Sequence, residues 1–84
     1  MAFNRAPIQV LARILEILAE NGGIIKDSEL FELLRREYDI SLSDLMRYLM
    51  ILEMRGYVNV SSASENVRIV HLTRYGKEQL GLSK

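Results

Sequence analysis

The fold of this 84-residue chain is decided by the stretch Ile40-Ser41-Leu42-Ser43-Asp44-Leu45-Met46-Arg47-Tyr48-Leu49-Met50-Ile51-Leu52-Glu53-Met54-Arg55-Gly56-Tyr57-Val58. Ser41 followed three residues later by Asp44 is a capping-box signal, which marks the start of a helix. Gly56 marks its end, because glycine adopts the left-handed conformation without a Cβ penalty. A strand-like alternation begins at Tyr57. Between these signals, apolar residues at helical spacing predict one buried stripe, formed by Leu45, Tyr48, Leu49 and Leu52.

The first predicted helix runs from Pro7 to Asn21 and is stopped by Gly22 and Gly23. Its apolar residues spread over roughly half of the circumference at about 100° per residue, which is more than packing against one small core requires. We therefore predict a second buried side, an interface between the subunits of a homodimer. The residues assigned to that interface are Ile8, Leu11, Ile14, Leu15 and Leu18.

A short strand and a second helix are predicted between the first helix and the opening stretch. Ile24–Lys26 is a brief apolar run that follows two glycines, as is typical of a short strand. Asp27 or Ser28 is expected to cap the second helix, whose apolar residues lie at helical spacing. The segment 38–40 then forms a turn of the length found between the two helices of a helix-turn-helix.

Two more strands and a last helix are predicted after the opening stretch. The strands are 57–61 and 67–72, and the small polar segment 62–66 joins them as a hairpin loop. Thr73 is expected to cap a final helix over 74–82. This order of elements predicts an α+β fold, a winged helix-turn-helix with a three-helix core, a two- to three-stranded antiparallel wing and a short C-terminal helix.

The sequence also resembles a known family. The segments 47–49, 52–53 and 55–58 are similar to the helix-turn-helix core of winged-helix transcription regulators, and 72–80 resembles the segment that opens their helix after the wing. The segment 12–23 is similar to the first helix of small archaeal winged-helix proteins. The resemblance implies a sequence-reading or chromatin-associated DNA-binding protein, a transcription regulator that acts as a homodimer. Its third helix is expected to read double-stranded DNA, and its wing to touch the DNA backbone or minor groove. The corresponding wing residues are Ser62, Ser64, Asn66 and Arg68.

The third helix supplies the candidate base-reading residues. With its leucine stripe in the core, the opposite face turns outward and, in a helix-turn-helix, meets base edges in the major groove. Arg47 could pair with a guanine, Ser43 could donate or accept, and Met46 or Met50 could contact thymine methyl groups. Asp44 could accept from a cytosine amine or serve only as the helix cap. The predicted recognition residues are Ser43, Asp44, Met46, Arg47 and Met50.

The charge distribution supports an alternative function. Eleven basic and eleven acidic residues give zero net charge, whereas DNA-binding proteins commonly carry a basic excess or stripe. Met46, Met50 and Met54 lie four residues apart and are expected to form an outward apolar ridge, which suits a protein partner at least as well as DNA. The alternative is therefore a winged-helix interaction module, an adaptor or complex subunit that docks a protein through this methionine ridge.

Composition and motifs disfavour other classes. The chain has no cysteine, and no apolar run approaches the roughly 20 residues that cross a bilayer. No signal peptide is visible. We expect one domain over residues 1–84, located in the cytoplasm and associated with the nucleoid. The only histidine, His71, is expected to be structural, and no phosphate loop, nucleophile elbow or acid–base pair is present. The sequence predicts a non-enzyme without metal or cofactor.

Overall fold

The computed structural model describes residues 7–81, which form four helices and a three-stranded antiparallel sheet. The sheet has the strand order β1-β3-β2, so the last strand lies in the middle. This confirms the predicted α+β class. In chain order the elements are α1 (Pro7–Glu20), β1 (Ile24–Lys26), α2 (Asp27–Arg35), α3 (Leu42–Met54), β2 (Val58–Ser64), β3 (Val67–Leu72) and α4 (Arg74–Gln79).

Helix α1 lies at the centre of the fold, where it contacts α2, α3, β1 and β3. Neighbours on several sides account for its wide apolar arc without a second subunit. Ile14, Leu15 and Leu18, which were predicted to form a subunit interface, are buried in the core of this chain, so their side chains are not exposed for a second subunit. The predicted interface on α1 is therefore reduced to Ile8, which is exposed, and Leu11, which is half-buried.

Both ends of α3 follow the local signals of the sequence. The Ser41 hydroxyl accepts from the Asp44 N–H at 3.1 Å, and the Asp44 carboxylate accepts from the Ser41 N–H at 3.0 Å, which completes the capping box. Gly56 has a φ of 84°, and its N–H and that of Tyr57 donate to carbonyls of the last helical turn at 3.0 and 2.9 Å. This left-handed reversal lets β2 begin at Val58, directly after the helix.

The start of α2 differs from the prediction. Asp27 is the first residue of the helix, and the N-cap residue is Lys26, which makes no side-chain cap hydrogen bond. The prediction that Asp27 or Ser28 caps α2 was therefore wrong. The Asp27 carboxylate is buried and accepts from the backbone N–H of Arg68 in β3 at 3.4 Å. Because β1 runs directly into α2, this carboxylate faces the sheet and joins it to the start of the helix.

The hairpin is longer and its turn tighter than predicted. Strand β2 continues to Ser64, so the turn consists of Glu65 and Asn66 and the predicted five-residue loop is wrong. The pairing of β2 with β3 shifts between Ser62 and Ser64, which marks a bulge. Thr73 caps α4 as predicted, accepting from the N–H of Gly76 at 2.9 Å. That helix ends at Gln79, and its predicted end at residue 82 lies outside the described residues.

Candidate nucleic-acid interface

Helix α3 has one buried side and one exposed side. The predicted stripe is confirmed for Leu45, Leu49 and Leu52, which are buried, while Tyr48 is half-buried. The opposite side presents Ser43, Arg47, Met50 and Met54 to solvent. The Arg47 side chain is 62% exposed, and Met50 and Met54 are 55% and 80% exposed. This exposed side is the surface that a ligand of α3 would meet.

The positive charge of Arg47 forms an ion pair with the carboxylate of Asp44, one helical turn earlier. Nη2 of Arg47 donates to Asp44 Oδ1 at 2.7 Å, while Asp44 Oδ2 accepts from the backbone N–H of Ser41. The hydrogen bond from that backbone N–H, helped by the Ser41 hydroxyl and by Arg47, lowers the pKa of Asp44 below its ordinary value. The carboxylate is therefore ionised at neutral pH, and the first half of α3 carries an ion pair instead of a free positive charge.

Met46 does not belong to the exposed side. It is half-buried, and its sulfur lies 3.9 Å from Nη1 of Arg68, which reaches over from β3. The predicted methionine ridge is therefore corrected to Met50 and Met54, because Met46 packs between α3 and the hairpin. The same contact brings together Arg68 and α3, which the sequence could assign only to separate elements.

The hairpin stands beside α3 and carries the other predicted wing residues. Its base is attached to the helix, since the Glu53 carboxylate accepts from the N–H of Val60 at 3.4 Å. Further out, Ser62, Ser64 and Asn66 are all exposed, and Ser62 lies opposite Arg68 in the β2–β3 register. The hairpin thus offers one guanidinium and several small polar groups next to α3. Its turn also carries the acidic Glu65.

A second charged cluster lies away from α3 and was not predicted. Arg13 of α1 donates from Nε to both carboxylate oxygens of Glu37 at 3.0 and 3.2 Å and forms ion pairs with Glu16 and Glu20 at 3.3 and 3.7 Å. The hydrogen bond from Arg13 lowers the pKa of Glu37 and raises that of the arginine. Arg13 and Glu37 are 24 residues apart, so local sequence patterns could not have identified the pair. The ion pair between Arg13 and Glu37 thus connects α1 to the segment that follows α2.

Four further features of residues 7–81 bear on other kinds of function: the metal-binding residue types, His71, a groove beside α2 and the length of the helices. They contain no group of three or more His, Cys, Asp or Glu side chains placed to hold a metal ion. His71 is half-buried in β3, where it lies opposite Ile24 and Asn59 of the neighbouring strands. A groove of about 590 Å³ beside α2 has an apolar floor that includes Phe31 and Leu33. None of the described helices has the length and apolar character needed to cross a bilayer.

Comparison of the sequence with protein-family models finds no matching family, and comparisons with curated proteins and with solved structures find no match either.

Proposed function

We propose that this chain is a winged helix-turn-helix DNA-binding protein, a homodimeric transcription regulator whose α3 enters the major groove. The order of elements supports this, because α2, a connection of six residues (36–41, longer than the predicted turn 38–40) and α3 are followed directly by a hairpin that packs against α3. The observation that carries the proposal is the approach of Arg68 to Met46. It brings a guanidinium from the hairpin to the same helix whose exposed side bears Arg47.

In the proposed complex, each element has a separate role. Arg47 and Ser43 of α3 face base edges, and Met50 contacts a thymine methyl group. Arg68 and the exposed hydroxyl and amide groups of the hairpin contact phosphate oxygens, which fix the orientation of the protein without reading sequence. The carboxylate of Asp44 accepts hydrogen bonds from Ser41 and Arg47, which disfavours the alternative in which it accepts from a cytosine.

The small number of cations on this surface predicts the salt dependence. Arg68 is the cation assigned to phosphate, so a dimer makes about two such contacts, and log K falls with log salt with a slope of about −1.8. Raising the salt from about 50 to about 200 mM then weakens binding roughly 12-fold, whereas a monomer with about one phosphate contact loses only roughly 3.5-fold. The slope therefore reports both DNA binding and the number of subunits.

Fluorescence titration of duplex DNA at these two salt concentrations tests the proposal. Arg47→Ala and Arg68→Ala should each weaken binding, but only Arg68→Ala should flatten the salt dependence, because Arg68 contacts phosphate whereas Arg47 contacts a base. Arg74→Ala is the matched control, since that side chain is 92% exposed but lies on α4. Light scattering at the same protein concentration measures the oligomeric state. Wild-type protein that binds no duplex at low salt, or an Arg47→Ala variant that binds as well as wild type, would disprove the role of α3.

A second candidate function rests on Met50 and Met54. Two exposed methionines in the second half of α3 offer a soft apolar surface that suits a protein partner, so the chain could serve as an interaction module. Met54→Glu should then remove a protein that co-purifies with the wild type. The same substitution should have little effect on DNA binding, because Ser43, Arg47 and Met50, the proposed base-reading residues, all precede Met54, the last residue of the helix. A partner retained by the variant would contradict this function.

A further inference from the structure

We infer that Asp44 is a positioning residue, which holds the guanidinium of Arg47 in place to read a guanine and does not contact a base itself. The inference rests on the proposed function and goes beyond it, since it assigns the specificity of α3 to a pair of residues. It also predicts that the preferred DNA site contains a guanine opposite the start of α3.

The carboxylate of Asp44 is fixed from two directions. Oδ2 accepts from the backbone N–H of Ser41 at 3.0 Å, and Oδ1 accepts from Nη2 of Arg47 at 2.7 Å. The first contact ties the carboxylate to the backbone at the start of α3, so its position is set by the helix cap and does not depend on a flexible neighbour. The second contact holds the guanidinium of Arg47 at a fixed distance from that carboxylate.

The contact leaves Arg47 able to read a base. A guanidinium has two edges on which two N–H groups point in parallel, and both edges include Nη2, which carries two hydrogens. Because Asp44 uses one Nη2 hydrogen, one complete two-donor edge remains free in either orientation. Two parallel donors are what the O6 and N7 atoms of guanine accept in the major groove. Asp44 thus restricts the side chain and still leaves it a guanine-reading edge.

Among the residues of α3, only Arg47 can offer two parallel N–H donors to a guanine. Arg47 is the only basic residue between Leu42 and Met54, and 62% of its side chain is exposed. An exposed arginine samples many rotamers, and binding must otherwise select one of them. A carboxylate that holds the guanidinium before DNA arrives lowers that cost, as preorganisation does in other binding sites.

Replacement of Asp44 by asparagine separates this inference from simple electrostatics. If the carboxylate only repels phosphates, Asp44→Asn should strengthen binding to every duplex equally. If the carboxylate positions Arg47, the variant should lose discrimination between bases. A bidentate arginine–guanine contact gives a preference of roughly 5- to 150-fold over another base. We expect Asp44→Asn to lower the measured preference at that position about tenfold.

The experiment uses the full chain and a pool of randomised duplexes of about 20 base pairs. Wild-type protein selects its preferred duplex, and dissociation constants are measured for it and for a copy in which the contacted guanine is replaced by adenine. Ser41→Ala is the matched control, because it removes the capping hydroxyl but keeps the backbone N–H that holds Asp44. That variant should retain the wild-type preference, with thermal melting followed by circular dichroism to monitor folding.

A second variant keeps the test decisive if Asp44→Asn folds poorly. Arg47→Lys preserves the charge but lacks the two-donor edge, so it should lower the guanine preference by a similar factor. Asp44→Glu keeps the charge and a capping-box residue type but shifts the carboxylate by one methylene. It should therefore lower the guanine preference of the protein that retains Arg47 and cause no further loss when added to Arg47→Lys. Tighter binding of Asp44→Asn with an unchanged preference would overturn the positioning role, as would an equal loss in Ser41→Ala. If wild-type protein selects no duplex, the proposed function fails before any variant is compared.

Discussion

Replacing Gly76 by alanine tests the contact between α4 and the backbone of Tyr57, in the link between α3 and β2. Gly76 is buried, and a Cβ at this position would collide with the carbonyl oxygen of Tyr57 and lie 2.8 Å from Cδ1 of Leu72. The Tyr57 carbonyl cannot move away easily, because it accepts from the N–H of Thr73 at 3.0 Å and the Thr73 hydroxyl, which donates to the Gly56 carbonyl at 2.6 Å, also lies 3.0 Å from it. The added methyl group therefore has no free space.

Two effects of opposite sign determine the size of the change. Alanine is a better helix former than glycine by about 1 kcal/mol, which alone would stabilise α4. Overpacking against a fixed backbone costs up to about 3 kcal/mol. We therefore expect Gly76→Ala to lower the free energy of unfolding by about 2 kcal/mol. For a domain of this size, that corresponds to a fall in Tm of roughly 8–16 °C.

Urea denaturation and thermal melting, both followed by circular dichroism, measure the effect. Gly22→Ala is the control, because Gly22 has a φ of 78° and nothing within 4 Å of its Cβ position. Its cost should be only the backbone strain of about 1–2 kcal/mol. A Gly76→Ala variant that is as stable as the wild type, or more stable, would show that α4 does not pack against the Tyr57 carbonyl in this way.

Two further predictions concern acid stability and the core. Because the hydrogen bond from Ser41 lowers the pKa of Asp44 in the folded state, its stabilising effect is present above the ordinary value near 4 and is lost as the pH falls further. Urea midpoints measured between about pH 7 and pH 2 should therefore drop at the acid end, and less steeply in Asp44→Asn; parallel curves would contradict this. Ile14→Ala should lower the free energy of unfolding by about 2–5 kcal/mol, because Ile14 is fully buried. The control, Ile8→Ala, should change it by less than about 0.5 kcal/mol, and equal losses in both variants would show that Ile14 is not in the core.

The parts of the structure that were predictable depend on short-range signals. The cap at Ser41, the leucine stripe and the stop at Gly56 all involve residues within one or two helical turns. Such signals define a helix without knowledge of its neighbours. The turn of the hairpin was harder, because the polar run 61–64 is exposed and gives no alternation of buried and exposed residues to show how far β2 extends.

The parts that could not be predicted depend on contacts between distant residues. The apolar arc of α1 indicated a second buried side, but only the fold shows that other elements of the same chain cover it. Similarly, Asp27 has the residue type and position of a helix cap, yet its carboxylate meets the backbone of Arg68, 41 residues later. Met46 is likewise half-buried because of a distant residue, since the side chain of Arg68, 22 residues later, contacts its sulfur. Residue type and spacing do not identify the partner in these three cases.

The contact between Met46 and Arg68 also changes how the two candidate functions relate. It leaves Met50 and Met54 as the exposed methionines of α3, and Met54 is the last residue of the helix. The polar groups that could read bases, Ser43 and Arg47, lie in the first half. A recognition helix contacts base edges mainly through its N-terminal residues. In the proposed DNA complex, the surface around Met54 would therefore stay uncovered, and a protein bound there would stand beside the DNA instead of competing with it.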